Sequence, residues 1–194
     1  MNWWVKARRL LPVLLPGMAA FTLIVAVAHD RAIELPGMLS GGGNRVFLMQ
    51  MIPLVITSTL GHCLEQRLVE AEVVGARNLR RLDTLLVTAC VLAAVAVSLV
   101  IGALSGSDEA TMAGRNTAFL TGLMLLAGAV HPKASAVAPV GWVFAIIFLG
   151  YADFDRPWPW AVTLHAPSSL PALALCSTVF VGGLVSQARV RRTL

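Results

Sequence analysis

The side chains best suited to catalysis or metal binding are few in this chain of 194 residues, which contains four histidines and three cysteines. It has no C-x-x-C motif for thiol redox chemistry, no H-E-x-x-H motif for zinc and no G-x-x-x-x-G-K-S/T motif for nucleotide phosphates. His62 and Cys63 are neighbours, so on a helix their side chains point about 100° apart and cannot clamp one metal ion by themselves. The sequence therefore predicts that the chain is not an enzyme, has no metal site and carries no cofactor.

Acidic side chains are a second place to look for chemistry, because paired carboxylates can act as general acid and base. Glu65, Glu70 and Glu72 lie in a strongly charged stretch, where they are expected to stay solvated. They would then lack the burial that raises the pKa of a catalytic carboxyl group. Asp83 opens an apolar stretch directly after two arginines. Since a negative charge at a helix N-terminus is stabilised by the helix dipole, Asp83 is predicted to cap a helix, with a role in coupling as the alternative.

Uncharged polar side chains interrupt the apolar stretches and are candidates for lining a substrate path. The possible pathway residues are Gln50, Thr57, Ser58 and Thr121. Such groups more often form hydrogen bonds between packed helices, so both uses stay open. No Asp, Glu, Lys or Arg is predicted in the middle of an apolar stretch, which counts against a proton- or ion-coupled carrier.

The elements that carry these residues are predicted to be transmembrane helices. The chain is 57% hydrophobic and 13% charged, with a mean hydropathy of +0.78, whereas soluble domains are about 25% charged. Because about 20 apolar residues cross a bilayer, this length accommodates six crossings and short loops. The predicted fold is an all-α integral membrane protein, with a single transmembrane domain over 1–194 and helices at about 10–28, 46–63, 85–104, 116–130, 134–151 and 170–185.

Lysine and arginine fall unevenly between these predicted helices. Of the 15 basic residues, eleven occupy alternate gaps. They are Lys6, Arg8, Arg9, Arg67, Arg77, Arg80, Arg81, Lys133, Arg189, Arg191 and Arg192. Because cytoplasmic loops retain Lys and Arg, this asymmetry predicts a multi-pass protein of the bacterial plasma membrane with both termini in the cytoplasm.

Three segments outside the helices are predicted to lie at or beyond the membrane surface. The residues 3–9 form a basic, tryptophan-containing interfacial lead-in, and 152–169 form an outer segment with two further tryptophans. The stretch 29–45 lacks helical periodicity and is interpreted as a flexible outer loop. The first apolar stretch ends without a small-residue cleavage motif, which predicts a retained crossing rather than a signal peptide.

The longest polar stretch, 65–83, places apolar and charged residues at near-helical spacing. This pattern predicts an amphipathic cytoplasmic helix, or a pair of helices broken at Gly75, between the second and third crossings. Its charged face is a candidate docking surface for another protein. The residues of that surface are Glu65, Arg67, Glu70, Glu72, Arg77, Arg80 and Arg81.

The net charge of +5 and the isoelectric point near 9.9 could suggest nucleic acid binding. The excess positive charge is confined to the predicted cytoplasmic side, so anionic membrane lipid explains it better and no nucleic acid partner is expected. Cys63, Cys90 and Cys176 follow no pairing pattern and are predicted to be reduced packing residues.

Together these features resemble the small ABC-2-type transporter permeases of actinobacteria. The likeness lies in the lead-in at 3–9, six crossings with cytoplasmic ends, the charged stretch 65–81 and the Pro-Trp-Pro-Trp segment at 157–160. It implies the permease subunit of an exporter that moves a small or amphiphilic substrate, with ATP hydrolysed on a separate ATP-binding subunit. It also implies a second permease subunit and a coupling helix within 65–81 that docks on the ATPase.

The residues themselves leave two other classes open. A non-transporting accessory or immunity protein that binds another membrane protein would suit the short loops and the scarcity of charge within the apolar stretches. An intramembrane enzyme acting on lipid is the third class, and it would depend on His62 or His165.

Overall fold

The computed structural model of the protein describes residues 10–28, 32–36, 43–65, 69–153 and 156–190. Within this part of the chain the architecture is mostly helical, as composition predicts. The six α-helices are α1 (Leu15–Ala28), α2 (Pro53–Glu65), α3 (Val69–Ser105), α4 (Asp108–Val130), α5 (Ala134–Leu149) and α6 (Leu170–Val190). A π-helical turn at Leu10–Leu14 leads into α1, and 3-10 turns lie at Leu48–Gln50 and Val162–Leu164.

Two short antiparallel hairpins lie between helices, mostly where loops were predicted, although Val46, Phe47 and Tyr151 were predicted to belong to helices. The first pairs β1 (Ala32–Pro36) with β2 (Gly43–Phe47), and Glu34 lies opposite Arg45 in its register. The second pairs β3 (Tyr151–Asp153) with β4 (Arg156–Pro157). The interpretation of 29–45 as wholly irregular is therefore wrong for β1 and for the part of β2 that lies within this stretch.

Two segments are long and apolar enough to cross a membrane, judged by length and composition. They are Arg81–Ser105 within α3 and Leu170–Arg189 within α6. The apolar stretches Pro12–Ala28 and Ala134–Leu149 are shorter. The 16 residues of α5 reach about 24 Å at ~1.5 Å per residue, less than the roughly 30 Å hydrocarbon core. Six crossings therefore stay a prediction, and two candidate spans are observed.

The central helix α4 begins at Asp108, well before the predicted start at 116. The Ser107 hydroxyl caps it by accepting a hydrogen bond from the Ala110 amide at 3.3 Å, and Asp108 and Glu109 place negative charge in its first turn. The predicted outer loop shrinks to a turn at Gly106, whose φ of 69° suits glycine. As a consequence Arg115, which was expected outside the predicted helices, lies inside α4.

The charged stretch and the third predicted crossing form one continuous helix. α3 runs for 37 residues without interruption, so the predicted break at Gly75 is wrong. A single interior glycine costs about 1 kcal/mol relative to alanine, which the good helix formers on either side of it can offset.

α4 occupies the middle of the bundle and packs against α2, α3, α5 and α6. Two apolar clusters form around it. One joins α4 to α1, α2 and α3 through Phe21, Val25, Ile56, Leu60, Val87 and Val91. The other joins α4 to α5 and α6 through Phe119, Leu120, Val143, Ile147, Ala172 and Cys176. All three cysteines are buried and none forms a disulfide, as predicted.

The helices α4 and α6 approach each other closely, and glycine makes this possible. A Cβ atom added at Gly122 would lie 2.6 Å from the Phe180 Cα, and one at Gly183 would lie 2.7 Å from the Gly122 carbonyl oxygen. The atoms nearest to both added Cβ positions belong to the backbone, so rotation of a side chain cannot relieve the contact.

We expect Gly122→Ala to lower the free energy of unfolding by about 1–3 kcal/mol, because the new methyl group would force the two backbones apart. Titration of the purified protein with dodecyl sulfate measures this loss. Gly141→Ala is the matched control, since a Cβ at Gly141 meets no atom within 4 Å. Equal stability of the two variants would contradict the close packing.

Candidate functional site

A buried guanidinium in the N-terminal half of α4 organises that end of the bundle. Arg115 is 8% exposed. Its Nη1 donates to the carbonyl of Ala166 at 2.9 Å, and its Nη2 donates to the carbonyl of His165 at 2.7 Å, with Val162 at 3.4 Å. The Val162 carbonyl belongs to the first residue of the 3-10 turn Val162–Leu164, and the carbonyls of His165 and Ala166 follow that turn. Backbone oxygens thus satisfy a buried cation that has no carboxylate bonded to it among the described residues.

Asn116 links three segments from the neighbouring position. It is 1% exposed, and its Nδ2 donates to Gln50 Oε1 at 3.0 Å and to the Thr163 carbonyl at 2.9 Å. Its Oδ1 lies 3.5 Å from the Arg115 guanidinium. Both amide protons are therefore used inside the protein, which is the requirement for a buried polar group.

Aromatic rings cover this network. The Trp142 Nε1 donates to the Thr163 hydroxyl at 3.4 Å. The Trp142 ring lies 4.9 Å from Phe119 and 5.9 Å from Trp160, the latter edge to face. We call the set Gln50, Arg115, Asn116, Trp142 and Thr163 the polar clamp. Its hydrogen bonds hold the segment 162–166 against α4.

A groove of about 220 Å³ lies between α2, α4 and α5, toward the other end of α4. Its floor includes Thr57, Met124 and Pro139, which are buried. Its rim is formed by exposed residues, namely Ser58, His62, Glu65, Ala136 and Val140. Leu54, Gly61 and Ser135 complete the lining.

The groove brings together three of the predicted site residues, although the sequence had placed them in different roles. Thr57 and Ser58 were predicted as pathway residues, and Glu65 as part of the docking surface. They meet because Glu65 ends α2 about two turns after the other two, on the side that faces α5. His62, which the sequence offered only as a residue of the alternative intramembrane enzyme, lies in the same lining.

The other predicted pathway residues lie away from the groove. Gln50 belongs to the polar clamp. Thr121 is fully buried in α4, and its hydroxyl oxygen has no hydrogen-bond partner among the described residues. The structure therefore does not join Gln50, Thr57, Ser58 and Thr121 into one surface.

The remaining docking residues belong to the long helix or fall outside the described residues. Arg81 is exposed on α3 at the start of its candidate span. The backbone of α3 contains Glu70, Glu72, Arg77 and Arg80, whose side chains lie outside the described part, as does Arg67 altogether. No cluster of three or more His, Cys, Asp or Glu suited to a metal ion occurs among the described residues.

Sequence reasoning missed the polar clamp because it began α4 too late. The signal was present, since Ser107-Asp108-Glu109 is a helix start with a capping serine and two acids in the first turn. Starting the helix there puts Arg115 and Asn116 two turns inside it, where each needs an internal partner. Which carbonyls supply those partners could not be read from the sequence.

Comparison with known proteins finds no family model, no curated protein and no solved structure that matches this chain.

We expect Arg115→Lys to lower the free energy of unfolding by about 1–2 kcal/mol, because a lysine ammonium cannot reproduce the fork that reaches two carbonyls at once. Amide hydrogen exchange at 161–166 should rise by about tenfold or more as that segment loosens. Arg156→Lys, at an exposed site, is the control. Unchanged exchange at 161–166 would show that the guanidinium does not hold the segment.

Proposed function

We propose that the protein is the permease subunit of an ABC-type exporter in the bacterial plasma membrane, where it couples ATP hydrolysis on a separate chain to movement of a small or amphiphilic substrate. The observation that carries the proposal is α3, in which the charged stretch from Val69 continues without a break into the candidate span Arg81–Ser105. A force applied at the charged end would act directly on the bundle, because one helix contains both.

The exposure of the two candidate spans supports a membrane location. The most apolar window of Arg81–Ser105 is 33% buried, and that of Leu170–Arg189 is 17% buried. The core helix of a soluble protein would be mostly buried. On α3, Leu85, Leu92 and Leu99 recur every seven residues and are all more than half exposed. Lipid tails would cover such an apolar face, which soluble monomers rarely expose over a large area.

The length of α3 supports the coupling role. Its 37 residues reach about 55 Å at ~1.5 Å per residue, which exceeds the roughly 30 Å hydrocarbon core by several turns. The charged turns before Arg81 would therefore project into the cytoplasm. In this proposal the ATPase subunit docks there, and a second permease subunit covers part of the exposed apolar surface.

A non-transporting accessory or immunity protein is the second candidate, and the polar clamp favours it. Hydrogen bonds to one another and to backbone carbonyls engage the polar groups of Gln50, Arg115 and Asn116. These groups are therefore not free to contact a substrate. A protein with its central polar groups locked in this way would suit a binding role better than a pathway.

Cysteine labelling distinguishes six crossings from two. With six crossings, Ser105→Cys lies outside and Lys133→Cys lies inside, whereas with only α3 and α6 crossing both positions lie outside. We expect a membrane-impermeant maleimide to label Ser105→Cys in intact cells and Lys133→Cys only after permeabilisation. The unmodified protein is the blank, because its three cysteines are buried. Labelling of Lys133→Cys in intact cells would contradict six crossings.

Charge reversal at the projecting end of α3 tests the partner. We expect the triple variant Arg77→Glu, Arg80→Glu and Arg81→Glu to abolish co-purification of a nucleotide-binding subunit from the native membrane, because like charges would then meet at the interface. Lys133→Glu is the control on the same predicted side of the membrane. Retention of the ATPase by the triple variant would contradict the docking site. Absence of any nucleotide-binding subunit with the unmodified protein would favour the accessory role.

A further inference from the structure

The hydroxyl groups of the groove between α2, α4 and α5 have already used their protons. The Thr57 hydroxyl donates to the Pro53 carbonyl at 2.8 Å, and the Ser58 hydroxyl donates to the Leu54 carbonyl. The Ser135 oxygen lies 2.7 Å from the Pro132 carbonyl oxygen. A hydroxyl has one proton, so each of these groups can offer a ligand only its lone pairs.

Glu65 adds negative charge to this set of acceptors. Its Oε1 lies 3.4 Å from the Ser135 hydroxyl oxygen, but the shorter contact to the Pro132 carbonyl takes that proton. Glu65 is exposed at the rim, and no lysine or arginine lines the groove within the described part of the chain. The carboxylate can therefore accept hydrogen bonds from an incoming donor.

The remaining walls are apolar. Leu54, Met124, Pro139 and Val140 face the same space, and Gly61 leaves room above the Met124 sulfur, which lies 3.3 Å from where a Cβ would be. A volume of about 220 Å³ is small next to the roughly 300–1,000 Å³ of drug-sized pockets. It suits a short hydrocarbon body more than a large ring system.

From these features we infer that the groove binds a small amphiphilic amine, with its ammonium group at Glu65 and its hydrocarbon part against Met124, Pro139 and Val140. The groove offers hydroxyl and carboxylate acceptors around one end, and an ammonium group supplies donors and a positive charge. A carboxylate or phosphate ligand would meet the like charge of Glu65 and the hydroxyl acceptors, and His62 is the one described side chain of the lining that can donate to it. Binding of the amine needs no ATPase, so a binding measurement tests this inference separately from the proposed export function.

A free amine fits better than the head group of phosphatidylethanolamine. That lipid carries a phosphate beside its ammonium, and the described lining provides no lysine or arginine to receive the phosphate. We therefore assign the groove to an amine that lacks an adjacent phosphate.

Equilibrium dialysis of radiolabelled hexylamine against the full-length protein in phosphatidylcholine nanodiscs tests the proposal, with empty nanodiscs subtracted. We expect saturable binding that unlabelled hexylamine displaces and that hexanoate does not. Glu65→Gln should weaken the binding by about tenfold, since a neutral amide forfeits the charge-assisted hydrogen bond. Hexanol should bind weakly, and equally to both proteins.

Three further variants keep the test specific to the groove. Glu65→Asp retains the carboxylate and should bind hexylamine within about threefold of the unmodified protein. Ala136→Phe should fill the groove and abolish binding of hexylamine and hexanol alike. Asp108→Asn removes a carboxylate from the opposite end of α4 and should leave the affinity for hexylamine unchanged.

Three results would overturn the inference. One is unchanged hexylamine affinity in Glu65→Gln, and another is hexanoate binding as tightly as hexylamine. The third is loss of hexylamine binding when phosphatidylethanolamine replaces phosphatidylcholine in the nanodiscs, which would assign the groove to lipid instead of a free amine.

Discussion

The structure depends on the requirement that the buried polar groups of α4 find partners inside the protein. A guanidinium removed from water is costly unless its donors are paired, and no described carboxylate is bonded to Arg115. Three backbone carbonyls between residues 162 and 166 take that place. The outer segment, the 3-10 turn and the position of Trp142 all follow from this pairing, because they must bring those carbonyls to the central helix.

The two ends of α4 consequently differ in character. At the outer end, polar groups are matched donor to acceptor and covered by aromatic rings, which produces a fixed structure. At the other end, the hydroxyl groups of Thr57, Ser58 and Ser135 donate to backbone carbonyls three or four residues earlier. Their oxygen lone pairs remain as acceptors facing the groove, with Glu65 at its rim. Matched polar groups stabilise a fold, whereas unmatched acceptors at an accessible surface can contact a ligand. This contrast is why the clamp is assigned to structure and the groove to binding.

Helix identity could be predicted for most of the chain, and helix boundaries only in part. The starts of α5 and α6 follow from long apolar stretches bounded by proline and polar residues, and the structure places them at Ala134 and Leu170 as predicted. The start of α4 was missed despite its capping serine, and the strand Gly43–Phe47 replaced the first part of a predicted helix. Strand pairing depends on partners 7 to 15 residues away, which local apolar periodicity does not report.

The sequence by itself determined the helical class, the apolar character of the candidate spans and the charged end of α3, because each depends on composition or on spacing within one element. It also singled out Glu65, Thr57 and Ser58 as polar groups of interest. Only the tertiary structure decided that α4 and α5 close a groove over the face of α2 that these three share with His62, and that Arg115 is satisfied by carbonyls about 50 residues later in the chain. The physical reason is that both arrangements are contacts between elements, set by how the helices pack around α4.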